Sequence, residues 1–224
     1  MIDLNRLEEY RENNRIEAKR ALGGLPKSIW ETYSAFANTL GGLILMGVEE
    51  YPDKSLHAVD LPYPEVLIEE FLAGLNDPRK VSANILGEDD ITIETVDGKR
   101  IIVVRVPRAP KNLKPVYIDG NHIFGSYHRN GEGDYRCTAE ELLAMYREAH
   151  SDPEAPADAG TVSEIRKAII ISYVTDHIEV KEQELEKLLG IGKIPVRTLM
   201  SELVADGIVT AKGGNRNRKY KLRS

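Results

Sequence analysis

The residues best suited to chemistry on a polyanion lie at the C-terminal end. The last 18 residues, GIVTAKGGNRNRKYKLRS, carry six basic side chains and no acidic one, an asymmetry that favours phosphate contact. The rest of the chain is charged the other way: residues 1–150 carry a net −7 and 151–160 a net −3, against +4 for 161–224 and −6 overall. Other chemistries lack their residue patterns. A single cysteine, Cys137, and five scattered histidines (57, 122, 128, 150 and 177) offer no CxxC, HxH or zinc spacing. The chain contains no glycine-rich phosphate loop ending in Lys-Ser/Thr and no GxSxG elbow, which excludes a P-loop ATPase and an elbow-type serine hydrolase.

Length and composition bound what can position these residues. A chain of 224 residues, 42% hydrophobic and 29% charged, can bury a real core as one large or two small domains. No apolar run approaches the roughly 18 residues of a membrane span. The charged start MIDLNRLEEYREN lacks a secretory core. An intracellular, cytoplasmic protein with no membrane partner is expected. The stretch SDPEAPADAG contains no large apolar residue and reads as a linker over 151–160, separating a domain at 1–150 from one at 161–224.

In the first domain the sequence predicts a helix over 3–13, a short strand around Ile16–Lys19, and a helix from Pro26 to Leu40 ended by Gly41-Gly42. Asn38 suits the last turn of that helix. LILMGV (43–48) reads as a buried strand, and 62–76 as another helix. DITIETV and KRIIVVRV flank Asp97-Gly98 in a hairpin pattern that VYI-DG-NHIF repeats over 116–124. Thr138 and Glu141 form a capping box ahead of a closing helix to about 149. The order indicates an α+β or mixed α/β domain.

The second domain reads as three helices, TVSEIRKAIIISYVTDH, EQELEKLLG and KIPVRTLMSELVADG, followed by a strand pair around a Gly/Asn tip. This is the winged helix-turn-helix plan, and the segment resembles the winged-helix family of transcription regulators. The resemblance implies that the third helix enters the major groove while the wing tracks phosphates. Leu199 and Leu203, four apart, should face the core and leave Lys193, Arg197, Thr198 and Ser201 exposed. Arg197 suits a guanine edge, and Lys212, Arg216, Arg218 and Lys219 suit phosphates.

Four segments in order, ENNRIEAK (12–19), SAFANTLGGLILMGVEE (34–50), KPVYI (114–118) and YHRNG (127–131), resemble the Schlafen AlbA-like domain family. The family is associated with DNA binding. Its enzymatic members use three carboxylates, which this resemblance maps onto Glu12, Glu17 and Glu50. There they would bind Mg²⁺ or Mn²⁺, with Lys19 at the scissile phosphate. The third position is Glu where those enzymes carry Asp, and this chain has one such domain in place of paired lobes. Lys19, Lys111, Lys114 and Arg129 are the candidates for a local basic strip.

The reading favours a DNA-binding transcriptional regulator, without cofactor or enzymatic activity. It would pair as a homodimer over two half-sites of duplex DNA, with the AlbA-like domain serving nucleic-acid binding, sensing or oligomerisation. The alternative is a metal-dependent, ribonuclease-like endonuclease using the three carboxylates.

Overall fold

The computed structural model describes residues 3–149, 159–214 and 218–223. Its contacts divide the chain into two compact units, Met1–Cys137 and Thr138–Ser224. Among the described residues no helix is long and apolar enough to cross a membrane.

The first unit begins with a 3-10 turn at Leu4–Glu9, where the sequence predicts an α-helix. Arg6 takes non-helical angles, and Leu7 is the turn's one buried side chain. Leu4 and Tyr10 pack against the same core as Leu7, and their spacing of three lines up on one side of a 3-10 turn, whose period is three, rather than along an α-helix. Strand β1 (Ile16–Lys19) follows, then helix α1 (Ile29–Asn38), with the Pro26 carbonyl accepting from the Ile29 N–H at 3.0 Å. The chain then reverses at Gly41 (φ +74°) into β2 (Gly42–Met46). A Cβ at Gly41 would stand 2.7 Å from the Val106 carbonyl oxygen, and one at Gly42 2.8 Å from the Phe36 ring. Both positions therefore exclude a side chain.

A short hairpin of β3 (Val48–Glu50) and β4 (Leu56–Ala58), not predicted from sequence, precedes α2 (Pro64–Leu75). The Asp97-Gly98 turn joins β5 (Ile91–Val96) to β6 (Lys99–Val106) with φ of +50° and +75°, as its residue types require. These strands form a four-stranded sheet in the order β1-β2-β6-β5, parallel between β1 and β2 and antiparallel elsewhere. β2 is covered on both faces. Ile44 and Met46 share a core with Phe36 of α1 and Phe71 of α2, while Leu45 meets Leu7, Ile16 and Val103 on the other side. That double burial explains its unbroken apolar sequence.

The second predicted hairpin, over 116–124, does not form. Asp119 and Gly120 do take positive φ, but the Asn121 side-chain oxygen accepts from the N–H groups of Ile123 and Phe124. The Ile118 N–H then closes onto the Gly125 carbonyl at 3.0 Å. The side-chain amide thus turns the chain before a ladder can extend. Pairing resumes beyond it, where β7 (Tyr127–Asn130) and β8 (Gly133–Arg136) form a hairpin around Gly131.

The second unit opens with α3 (Ala139–Ala149), the helix assigned from sequence to the first domain. Its capping box forms: the Thr138 N–H donates to Glu141 Oε2 at 2.7 Å and the Glu141 N–H donates to Thr138 Oγ1 at 3.3 Å. Leu143 shares a core with Ile165, Leu185 and Leu203, so the division falls ahead of this helix. Of the expected linker, 151–160, residues 151–158 lie outside the described residues, and Ala159 and Gly160 already belong to a helix. Then come α4 (Ala159–Asp176), β9 (Val180–Lys181), α5 (Glu182–Leu189), α6 (Lys193–Ala205), β10 (Val209–Lys212) and β11 (Lys219–Leu222). A three-stranded sheet has the order β10-β11-β9, and the two-residue β9 is an addition to the sequence reading. Gly190 (φ +62°) ends α5 and Gly207 (φ +72°) follows α6, each a left-handed stop after a helix.

Candidate functional site

In the first unit, charged side chains gather where β1, the β3–β4 hairpin and the β7–β8 hairpin meet. Arg129 of β7 has no exposed side-chain surface. Its Nη2 donates to Glu17 Oε2 at 2.7 Å and its Nη1 to Asp134 Oδ1 at 2.8 Å. Nε and Nη2 also donate to the Asn13 carbonyl at 3.1 and 3.0 Å. The guanidinium lies 5.2 Å from the centre of the Phe36 ring. Asp134 in turn accepts from Thr32 Oγ1 at 2.7 Å. Glu17 Oε1 pairs with Lys19, whose side chain is only 13% exposed.

Next to this network, carboxylate oxygens of Glu12, Glu50 and Glu132 lie within 4.8 Å of one another. The resemblance implies Glu12, Glu17 and Glu50. The structure groups Glu12 and Glu50 with Glu132, because both Glu17 oxygens are engaged by Arg129 and Lys19. Glu12 Oε1 accepts from the Ala18 N–H at 3.0 Å. Lys54 Nζ donates to Glu50 Oε1 at 2.9 Å and to Glu132 Oε2 at 3.2 Å. Glu50 Oε2 is buried without a hydrogen-bond partner among the described residues. Burial, with Glu17 and then Glu50 adding like charge, pushes the Glu12 carboxyl above its usual value. Glu132 escaped the sequence reading because it sits in a hairpin that reading did not contain; Asn-Gly-Glu-Gly (130–133) was the available turn signal.

The basic residues of this unit do not form a surface strip. Lys114 is buried and donates Nζ to the Asn38 carbonyl at 2.7 Å, and Lys19 and Arg129 are held inside the ion pairs above. Lys111 sits in a 3-10 turn at Lys111–Leu113. Asn38 does more than finish a helix. Its Nδ2 donates to the carbonyls of Val116 at 2.8 Å and Tyr127 at 3.0 Å, while Oδ1 accepts from the Val116 N–H.

In the second unit, Leu199 and Leu203 are buried, and Lys193, Thr198 and Ser201 are exposed on the opposite side of α6. Arg197 is half-buried. Its Nε donates to both oxygens of Glu182, each at 3.0 Å. Glu182 is itself buried, accepts from the Tyr220 hydroxyl at 3.2 Å and lies 3.9 Å from Lys193 Nζ. Lys212 and Lys219 are exposed and Arg218 is half-buried. Lys219 pairs with Glu179 at 2.6 Å. Arg216 lies outside the described residues. Of these residues, Arg197 is held most closely by the buried Glu182 among the described ion pairs, with Lys193 at the edge of the same carboxylate.

Taken together, these features define the first unit as a mixed α+β domain built round a buried arginine and bordered by carboxylates. The chain belongs to the Schlafen, AlbA_2 family, whose model matches residues 12–138. Among solved structures, the N-terminal domain of an ATP-dependent DNA helicase RecG-related protein from Nitrosomonas europaea is 33% identical, over 60% of this chain and 90% of that one, with a TM-score of 0.46. The DIP2311 protein from Corynebacterium diphtheriae is 16% identical over 60% of this chain, with a TM-score of 0.41. The match spans 27% of the Corynebacterium chain. No curated protein matches the chain.

The raised Glu12 carboxyl gives a pH-dependent expectation. A raised carboxylate stabilises the fold while protonated, below its unfolded value near 4.5, and that contribution is lost as pH rises through the higher folded value. Glu12→Gln keeps an acceptor for the Ala18 N–H and removes the ionisation. In urea melts of the two proteins, the variant should match the wild type at acid pH and exceed it at neutral pH. A variant that is less stable at neutral pH than at acid pH, relative to wild type, contradicts this account.

Proposed function

We propose that this chain is a DNA-binding transcriptional regulator whose second unit works as a winged helix. Family membership supports nucleic-acid binding in general. The observation that carries the finer reading is the exposed face of α6, where Lys193, Thr198 and Ser201 lie opposite buried Leu199 and Leu203. Donors on one side of a packed helix suit a groove of duplex DNA. The adjoining β10–β11 pair presents Lys212 and Lys219, and with Arg216 and Arg218 these act on phosphates. Glu182 holds the Arg197 guanidinium in one orientation, which restricts how it meets a base edge. The first unit serves nucleic-acid binding, sensing or oligomerisation, and a homodimer places two α6 helices over two half-sites.

A second reading, metal-dependent nucleic-acid cleavage, is favoured by the carboxylates of Glu12, Glu50 and Glu132. Three carboxylate oxygens suit a hard cation such as Mg²⁺ or Mn²⁺, and the buried Glu50 Oε2 is a ligand atom with no other partner described. A bound ion would lower the pKa of its water and stabilise phosphoryl charge. Lys54 occupies the remaining Glu50 oxygen and Glu132, so it must give way to the ion.

Two measurements test these readings. Fluorescence anisotropy with labelled duplex DNA, titrated with salt, should give a log–log slope that becomes shallower by about 1.8 in Lys193→Gln/Lys212→Gln, since each lost phosphate contact removes about 0.9. An unchanged slope removes α6 and the strand pair from the interface. For the second reading, labelled RNA incubated with Mn²⁺ should be cut by the wild type and left intact by Glu50→Gln. Cleavage that persists in Glu50→Gln rules out this carboxylate site.

A further inference from the structure

A cleft of about 430 Å³ opens at the end of the four-stranded sheet where β1 and β2 begin and β6 ends. Its lining includes Tyr10, Arg15, Leu40, Arg105 and the glycines Gly41 and Gly42. The sheet register explains why Arg105 is there. Leu43, facing Arg105 across the β2–β6 ladder, continues the face that carries Leu45, Ile101 and Val103. That face is apolar where the N-terminal turn covers it and becomes cationic where the cover ends.

Both arginines are available. Arg15 is exposed and makes no ion pair among the described residues. Arg105 is 56% exposed, and its ion-pair partner among the described residues, Asp90, is 4.0 Å away, at the limit of an ion pair and screened by solvent; Asp3 and Glu94 line the neighbouring depression on the same face. Two arginines line this one cleft although residues 1–150 carry a net −7. Beside them lie the half-buried Tyr10 ring and Leu40, 47% exposed for a large apolar side chain. Forked guanidiniums bind phosphate oxygens bidentately, and an aromatic ring next to an aliphatic surface accommodates a base.

We propose that this cleft binds a nucleoside phosphate, with the phosphate between Arg15 and Arg105 and the base against Tyr10 and Leu40. The ligand is either a free mononucleotide or one unit of a single strand, because both present the same chemistry. The site shares no residue with the carboxylate cluster.

The test uses the full chain carrying Lys193→Gln/Lys212→Gln, so that failure of the duplex reading leaves it unaffected. Binding of fluorescein-labelled single-stranded oligothymidylate is followed by anisotropy against salt, and binding of thymidine monophosphate by calorimetry. Adding Arg15→Gln/Arg105→Gln should make the single-strand slope shallower by about 1.4, at about 0.7 per contact, or weaken mononucleotide binding roughly tenfold. Loss confined to the strand assigns the phosphate to a nucleic acid, and loss confined to the mononucleotide assigns it to a free nucleotide. Arg15→Lys/Arg105→Lys should restore most of the slope, because it returns the charge, but little of the mononucleotide affinity, because it lacks the fork. Binding of neither probe, or binding that the Gln pair leaves unchanged, overturns the proposal.

Discussion

The first unit depends on one buried cation. Taking the Arg129 guanidinium out of water is costly unless charge and hydrogen bonds replace the lost hydration. Here Glu17 comes from β1, Asp134 from β8, and two carbonyl acceptors, Asn13 and Ile16, from the approach to β1 and its first residue. Phe36 of α1 lies within cation–π range of the guanidinium. Asp134 passes the constraint on to α1 through Thr32. β1, α1 and the β7–β8 hairpin, three segments distant in sequence, are thereby fixed round one side chain. Asn38 does similar work for the segment at 116–127, which would otherwise leave buried backbone groups unpaired.

This constraint decides what the neighbouring residues can do. Glu17 and Lys19 lie on β1 and look available from sequence, yet both are used to neutralise and flank the buried arginine. The carboxylates left over are Glu12, Glu50 and Glu132, which crowd together and hold Glu12 above its ordinary value. Arg15 and Arg105 lie instead at the sheet end. A charge total for the unit could not have revealed either grouping.

Much of the fold was legible because its signals are local. Asp97-Gly98 specified its hairpin, Thr138 and Glu141 their cap, and the apolar run at 43–48 its central strand as far as Met46, where Gly47 (φ +83°) turns the chain into β3. The spacing of Leu199 and Leu203 fixed the buried face of α6. The misses share a cause: the deciding interaction was not local. The Asp-Gly pair at 119–120 makes its turn, but Asn121 captures the following backbone. The segment at 3–13 carries helix-forming residues, yet only Leu7 is buried. Helix α3 is predicted correctly, but its partner depends on where Leu143 packs. Of the site, the sequence marked Glu12, Glu17, Glu50 and Arg129 through resemblance. Their pairing, and the presence of Glu132, required the β7–β8 hairpin.

The most direct test of this account is native-state hydrogen exchange, read by mass spectrometry, on Arg129→Met. Leaving Glu17 and Asp134 buried without their cation should destabilise the unit by about 3–5 kcal/mol. The expected result is faster exchange in β1, α1, β7 and β8 together, because all four are tied to the same guanidinium. Exchange that stays at wild-type rates in these elements, or that accelerates only in β7, would contradict the claim that Arg129 organises the fold.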